Sequence, residues 1–217
     1  MDDWSDRGLH PFLRFHLYYL WQRAQRKEFD FGKIGNNEVG VVNGLAYTYA
    51  GGDTLKIEVN YYPGSGNLVL TGSLGDVMKE SAQIALSYVR SNFIDFGISY
   101  DKLSKNDIHI HVPSGAVPKD GPSAGIAITT ALISALSNLK IENTIAMTGE
   151  ITLRGNILPI GGLKEKSIGA LRAGIKTIYI PAGNKKDLEE IPDEIKKDLK
   201  YVFVDNYKDL FKKIIRK

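Results

Sequence analysis

Pro118-Lys-Asp-Gly-Pro-Ser-Ala-Gly125 runs directly into Ile126-Ala-Ile-Thr-Thr-Ala-Leu-Ile-Ser-Ala-Leu136. The first stretch reads as a tight turn bounded by glycine and proline, and the second as a helix. Ala127, Ile128, Ala131, Leu132, Ala135 and Leu136 fall on one face of it. Ser123 therefore stands at the mouth of a helix, where free backbone N–H groups stabilise a negative oxygen. A serine placed there is a candidate nucleophile, provided the chain also supplies a base.

Gly121-Pro-Ser-Ala-Gly125 fits the G-x-S-x-G pattern of a nucleophile elbow, a weak signal by itself. An α/β-hydrolase needs the order serine, acid, histidine. All four histidines (His10, His16, His109, His111) precede Ser123, so that order is impossible here. A triad in another order stays open, with Ser123, His109 or His111, and Asp120. The two histidines stand two apart on a strand and share one side of it; two polar residues on a solvent or cleft face is the plainer reading. His-x-His has no matching third ligand at metal-site spacing. No G-x-x-x-x-G-K-[ST] occurs, so no phosphate-binding P-loop is visible.

The other candidate base is a lysine. Burial disfavours the charged ammonium, and a desolvated lysine beside a serine takes its proton and later returns it to a leaving amine. Such a lysine belongs on a packed, glycine-rich element. Lys166 fits, in Pro159-Ile-Gly-Gly-Leu-Lys-Glu-Lys-Ser-Ile-Gly-Ala170, which opens a helix just after a strand. Lys164, two positions back, points elsewhere on a helix. Spacing alone still leaves any single lysine a surface residue more often than a base.

Outward from the turn, residues 107–112 read as a strand. Residues 39–50 and 54–62 read as strands about a Gly51-Gly52-Asp53 turn. In the second, Leu55, Ile57 and Val59 alternate with Lys56, Glu58 and Asn60. After a turn at 63–67 comes a strand at 68–71. Ser73 then caps a helix with Val77, Ser81, Ala82, Ala85 and Val89 inward. Downstream, 145–147 and 151–160 read as strands, the latter turning at Arg154-Gly155-Asn156. A helix over 162–173 has Gly174 at its C′ position. Short strands follow at 177–180 and 201–204, with a helical turn at 187–190 between them. The last helix carries Tyr207, Leu210, Phe211, Ile214 and Ile215 as one stripe. Strands and helices are mixed, which makes the class α/β (α+β). Residues 1–26 differ: a polar start, then a short helix over 12–24 that is apolar nearly all round and needs a partner surface.

Composition bounds the rest. A chain of 217 residues with 43% hydrophobic and 24% charged residues is an ordinary globular one. A net charge of +3, with acids interleaved among the C-terminal lysines, gives no nucleic-acid footprint. Zero cysteines exclude disulfides, thiolate metal sites and a cysteine nucleophile. No segment has the length of a membrane span or the form of a secretory signal, and the expected location is cytoplasmic.

Several longer motifs occur in a fixed order: Gly44-Leu-Ala-Tyr-Thr, Gly51-Gly-Asp, Thr71-Gly-Ser-Leu-Gly-Asp-Val-Met-Lys-Glu-Ser81, His109-Ile-His-Val-Pro, Pro118 to Gly125, Met147-Thr-Gly-Glu-Ile-Thr-Leu-Arg-Gly155 and Leu158-Pro-Ile-Gly-Gly-Leu-Lys-Glu-Lys166. With these, residues 27–217 resemble the proteolytic domain of the Lon family of ATP-dependent serine proteases, bacterial type. The resemblance implies the Lon-protease-domain fold, of mixed sheets packed with helices. It also implies a Ser123–Lys166 dyad that hydrolyses peptide bonds of unfolded or damaged proteins. Thr148 is implied to position the lysine. Asp120 is implied to lie beside the serine and to pair with the lysine in inactive states, with Glu58, His109 and His111 supporting the region. Family members form hexameric rings. No ATPase module is recognisable in this sequence, so the expectation is cleavage of peptides or loose chains, with no cofactor in this chain. ATP and magnesium are expected only where that module is present. The competing reading is a catalytically silent ring-forming or binding module of the same fold.

Overall fold

The computed structural model describes residues 37–48, 51–113 and 117–215, all within the second of two compact units, Ile34–Lys217. The segment 1–26, with its expected short helix, lies outside the described residues.

Seven strands form one sheet in the order β3-β4-β2-β1-β5-β8-β9. β1 (Val41–Thr48) and β2 (Gly51–Pro63) are antiparallel, as are β2 and β4 (Asn106–His111). β3 (Leu68–Thr71) runs parallel to β4 at one edge. On the other side of β1, the strands β5 (Ile145–Met147), β8 (Thr177–Pro181) and β9 (Lys200–Val204) add in parallel. β6 (Glu150–Ile151) and β7 (Ile157–Leu158) make a separate small hairpin. The helices are α1 (Asp76–Ser91), α2 (Tyr100–Ser104), α3 (Gly125–Ser137), α4 (Leu163–Arg172), α5 (Asp193–Lys196) and α6 (Tyr207–Ile215). A 3-10 turn, Pro122–Ala124, leads into α3.

Strand alternation sends side chains to two faces, and each face has its own core. On one, Ile57, Ile110, Ile145, Met147 and Tyr179 pack with Ala82, Ala85 and Val89 of α1, Ile128 and Leu132 of α3, and Tyr207 and Leu210 of α6. On the other, Leu45, Ala146, Ile178 and Ile180 pack with Leu163 and Ala170 of α4. The sheet is thus covered on both sides, with α3 and α4 on opposite faces.

α3 is buried from Gly125 to Leu136, not on one face alone. Its polar residues are satisfied inside: Thr129 Oγ1 donates to the Gly125 carbonyl, Thr130 Oγ1 meets Tyr207 Oη at 2.7 Å, and Gly40 N–H donates to Ser134 Oγ. α4 lies directly on the start of β2. A β-carbon on Gly169 would run into the Gly52 carbonyl group, and one on Gly52 into the Glu165 carbonyl. Arg172 Nη2 donates to that same Gly52 oxygen.

Three local expectations change. Gly51, Gly52 and Asp53 are not a turn but the first residues of β2, paired with Thr48, Tyr47 and Ala46. An extended, side-chain-free Gly52 is what lets α4 rest on the strand. Ser73 does not cap α1. It sits at φ 58, and Gly75 holds the N-cap position. In the first turn Met78 is the inward residue, spaced i, i+4, i+7, i+11 with Ala82, Ala85 and Val89, whereas Val77 is 44% exposed. The turn expected within 151–160 is present as the connection of a short hairpin, with β6 ending at Ile151 and β7 covering Ile157 and Leu158.

Gly169→Ala is expected to destabilise the fold by about 1–3 kcal/mol, because its new methyl meets backbone that cannot turn aside. Gly161→Ala, where an added β-carbon meets nothing within 4 Å, should stay within about 0.5 kcal/mol of wild type. Urea denaturation of the two variants side by side measures the difference.

Candidate active site

Three elements converge where the parallel strands end. Ser123 lies in the 3-10 turn ahead of α3, on one face of the sheet. Lys166 lies in the first turns of α4, on the other. Thr148 directly follows β5, between them. In open α/β sheets the crevice beyond the carboxyl ends of parallel strands is where ligands bind.

The amine of Lys166 joins the three. Its Nζ donates to Ser123 Oγ at 3.0 Å and to Thr148 Oγ1 at 3.0 Å. Thr148 Oγ1 in turn donates to the Ser123 carbonyl at 3.2 Å, and Gly149 N–H donates to that carbonyl at 2.7 Å. Thr148 is therefore a fixed acceptor for the amine and a clamp on the serine backbone. Lys166 is 3% exposed and Thr148 fully buried, while Ser123 is half-buried. Burial pushes the Lys166 ammonium down from 10.5 to about 8. About a tenth of the amines are then neutral at pH 7. The geometry lets a neutral Lys166 at the same 3.0 Å accept a hydrogen bond from Ser123 Oγ while still donating to Thr148. Lys164 is exposed on the outer side of α4, so helix phase does separate the two lysines.

Gly121 carries the backbone into this turn at φ 117, ψ 155, in a region closed to side-chain-bearing residues. An added β-carbon there would meet nothing, so torsion and not space requires the glycine. Asp120 does not touch the dyad lysine: its Oδ1 accepts the N–H groups of Met78 and Gly121, each at 2.9 Å. His109 and His111 lie apart from Ser123 in their bonding. Thr71 Oγ1 sits between His109 Nε2 at 2.8 Å and His111 Nδ1 at 2.7 Å. Glu58 pairs with His111 across the strands, and its carboxylate lies 3.7 Å from Lys56 Nζ. Of the bases open to Ser123, the lysine is the one brought to it.

Two contributors were not singled out from the sequence. Ser81 Oγ donates to the Pro122 carbonyl at 3.4 Å, and Lys119 Nζ donates to the Gly72 and Val117 carbonyls at 3.0 and 3.1 Å. The signal for Ser81 was a small hydroxyl on an otherwise apolar helix face; Lys119 stood in the quoted turn itself. Among the described residues, no cluster of three or more histidine or carboxylate side chains is arranged to hold a metal ion. Among the same residues, no helix is long and apolar enough to cross a membrane.

Comparison with known proteins places this geometry in a family. Residues 20–217 match the Lon protease (S16) C-terminal proteolytic domain. The chain is 62% identical over 184 residues to the Lon protease of Mycoplasma mycoides subsp. mycoides SC, covering 85% of this chain and 23% of that protein. It is 61% identical over 170 residues to the Lon protease of Heliobacterium modesticaldum, covering 78% and 21%. It is also 61% identical over 166 residues to Lon protease 1 of Bacillus subtilis, covering 76% and 21%. The chain thus spans between a fifth and a quarter of the length of these relatives. By the match over residues 20–217, the chain belongs to the Lon protease (S16) C-terminal proteolytic domain family.

Proposed function

We propose that this chain is a serine endopeptidase domain in which Ser123 is the nucleophile and Lys166 the general base. One observation carries the reading: a buried amine whose burial lowers its proton affinity, held 3.0 Å from the hydroxyl of a half-buried serine. Neutral Lys166 takes the Ser123 proton as Oγ attacks the scissile carbonyl carbon. The resulting tetrahedral oxyanion is met by backbone N–H groups of the Ser123 turn. Collapse breaks the C–N bond, and Lys166 gives its proton to the leaving nitrogen. An ester on Ser123 remains. Water then attacks it, with Lys166 again taking the proton, and Ser123 is regenerated. Thr148 keeps Nζ aimed through both halves.

The substrates this reading implies are unfolded or loosely structured polypeptides, and the assembly it implies is the hexameric ring of the resemblance, which sedimentation of the chain reads directly. The sequence holds no P-loop, so ATP with magnesium is expected to act only where an ATPase module is present. The 217-residue chain alone should degrade a folded domain no faster with ATP than without.

Cleavage of a fluorogenic peptide tests the dyad. Ser123→Ala and Lys166→Ala should each lower kcat/KM by at least about a thousandfold. A common background rate in wild type and both variants would instead support the silent-module reading. Thr148→Val should lower kcat about tenfold or more and leave KM within about twofold, with Thr148→Ser close to wild type.

The rate should rise with pH through a midpoint near 8, as Lys166 loses its proton. Stability follows from the same group. Between about pH 8 and 10.5 the folded chain holds fewer protons on Lys166 than the unfolded chain does. The burial penalty is therefore fully present below about pH 8 and is relieved as pH rises toward 10.5. Lys166→Met should be more stable than wild type at pH 7 by on the order of 1–2 kcal/mol. Denaturant titrations at pH 7 and pH 10 should show that gain shrinking.

A further inference from the structure

Helix α1 begins on a residue that cannot cap it. Gly75 holds the N-cap position with an extended backbone, φ −71 and ψ 173, and brings no side-chain oxygen. The first amides of a helix need an acceptor, and an N-cap side chain usually supplies one to the third residue. Here the third residue, Met78, donates its N–H to Asp120 Oδ1 at 2.9 Å, across 42 positions of sequence. The same oxygen accepts the Gly121 N–H at 2.9 Å. The seat for this carboxylate is the missing side chain at position 75. A β-carbon there would lie inside contact distance of the Asp120 carboxyl carbon and both its oxygens. A carboxylate at a helix N-terminus also meets the favourable end of the helix dipole.

The surrounding bonds all tie the same two segments. Gly75 N–H donates to the Lys119 carbonyl at 2.7 Å, and Lys119 N–H to the Ser73 carbonyl at 3.0 Å. Lys119 Nζ reaches the Gly72 carbonyl and Ser81 Oγ the Pro122 carbonyl. Residues 119, 120 and 122 are thus each fastened to 72–81, immediately before the nucleophile. The non-glycine residue at φ 58, Ser73, stands in the middle of this seam.

We propose that Gly75 and Asp120 are a matched pair of positioning residues. The Asp120 carboxylate, seated where residue 75 has no side chain, caps α1 and so holds the turn that aims Ser123 at Lys166. It acts through the loop and not on the substrate. Its kinetic consequences rest on the serine-peptidase reading above; its structural consequence does not.

A double-mutant cycle in the full chain tests the pairing, read by peptide cleavage and by amide hydrogen exchange. Gly75→Ala drives the carboxylate out, and Asp120→Ala removes it. Each should lower kcat about 10- to 100-fold with KM within about twofold, the loss expected of a nucleophile moved by up to about an ångström. Each should also speed exchange of the Met78 and Gly121 amides. With no carboxylate left to displace, Gly75→Ala in the Asp120→Ala background should cost nothing further. Gly75→Asp in that background caps α1 from its own position, so it should restore Tm without restoring kcat. Losses that multiply in the double variant, wild-type kcat in Asp120→Ala, or unchanged exchange at both amides would each overturn the pairing. Should Gly75→Ala not fold, Asp120→Ala, which only removes atoms, still decides it. Wild-type turnover equal to that of Ser123→Ala defeats the peptidase reading, and amide exchange then judges the positioning alone.

Discussion

Lys166 Nζ stands 3.0 Å from each of two hydroxyls in a site that leaves its residue 3% exposed, and the rest of the domain is arranged to make that position tenable. Taking an ammonium out of water costs several kcal/mol, and hydrogen bonds to a charged group return about 1.5–3 each. The residue of cost appears as a fall in proton affinity from 10.5 to about 8, or about 3 kcal/mol of differential preference. A third strong acceptor, such as a carboxylate at contact distance, would favour the permanently charged form and end the proposed use of Lys166 as a base. It matters, then, that the nearby carboxylate of Asp120 is engaged with two backbone amides of its own.

Backbone packing holds the amine there. α4 carries Lys166 inward because Gly169 and Gly52 let helix and strand approach to backbone contact. α3 and its leading turn come from the opposite face, anchored by an interior that buries Gly125 to Leu136. The two helices meet only past the end of β5, where Thr148 bridges them. A site assembled across a sheet in this way inherits the rigidity of both cores. Protein interiors transmit small displacements instead of absorbing them, so an extra methyl between α4 and β2 is expected to shift Lys166.

What could be read from the chain follows from how local each signal was. Alternation in Leu55, Ile57 and Val59 and the glycine-proline turn before Ser123 are local, and the structure keeps them; of the stripe from Tyr207 to Ile215 it buries Tyr207, Leu210 and Ile214 but leaves Ile215 47% exposed. The structure joins Ser123 and Lys166 by a hydrogen bond; the first stands out by its turn and the second chiefly by a resemblance, since no spacing rule selects one lysine among many. The misreadings share another cause. Gly51-Gly52-Asp53 looks like a turn because two glycines usually make one, but here they serve a helix more than a hundred residues later. Ser73 looks like a cap because serine caps helices, but α1 takes its cap from Asp120. Neither partner is visible in a window of ten residues.

Under the proposed Ser123–Lys166 mechanism, the unequal burial of the two residues carries its own consequence. Ser123 is half-buried while Lys166 and Thr148 are buried, so a peptide is expected to meet the serine hydroxyl before the amine. Once Oγ is bonded to the substrate carbon, the leaving nitrogen is one bond from that carbon, and Nζ is already within hydrogen-bond distance of Oγ. The proton taken from the serine is thus held close to the nitrogen that needs it, with no second acid required. In that mechanism covalent chemistry sets the order of acylation and deacylation, since the ester on Ser123 exists only after the amine has left, and one buried amine serves both steps.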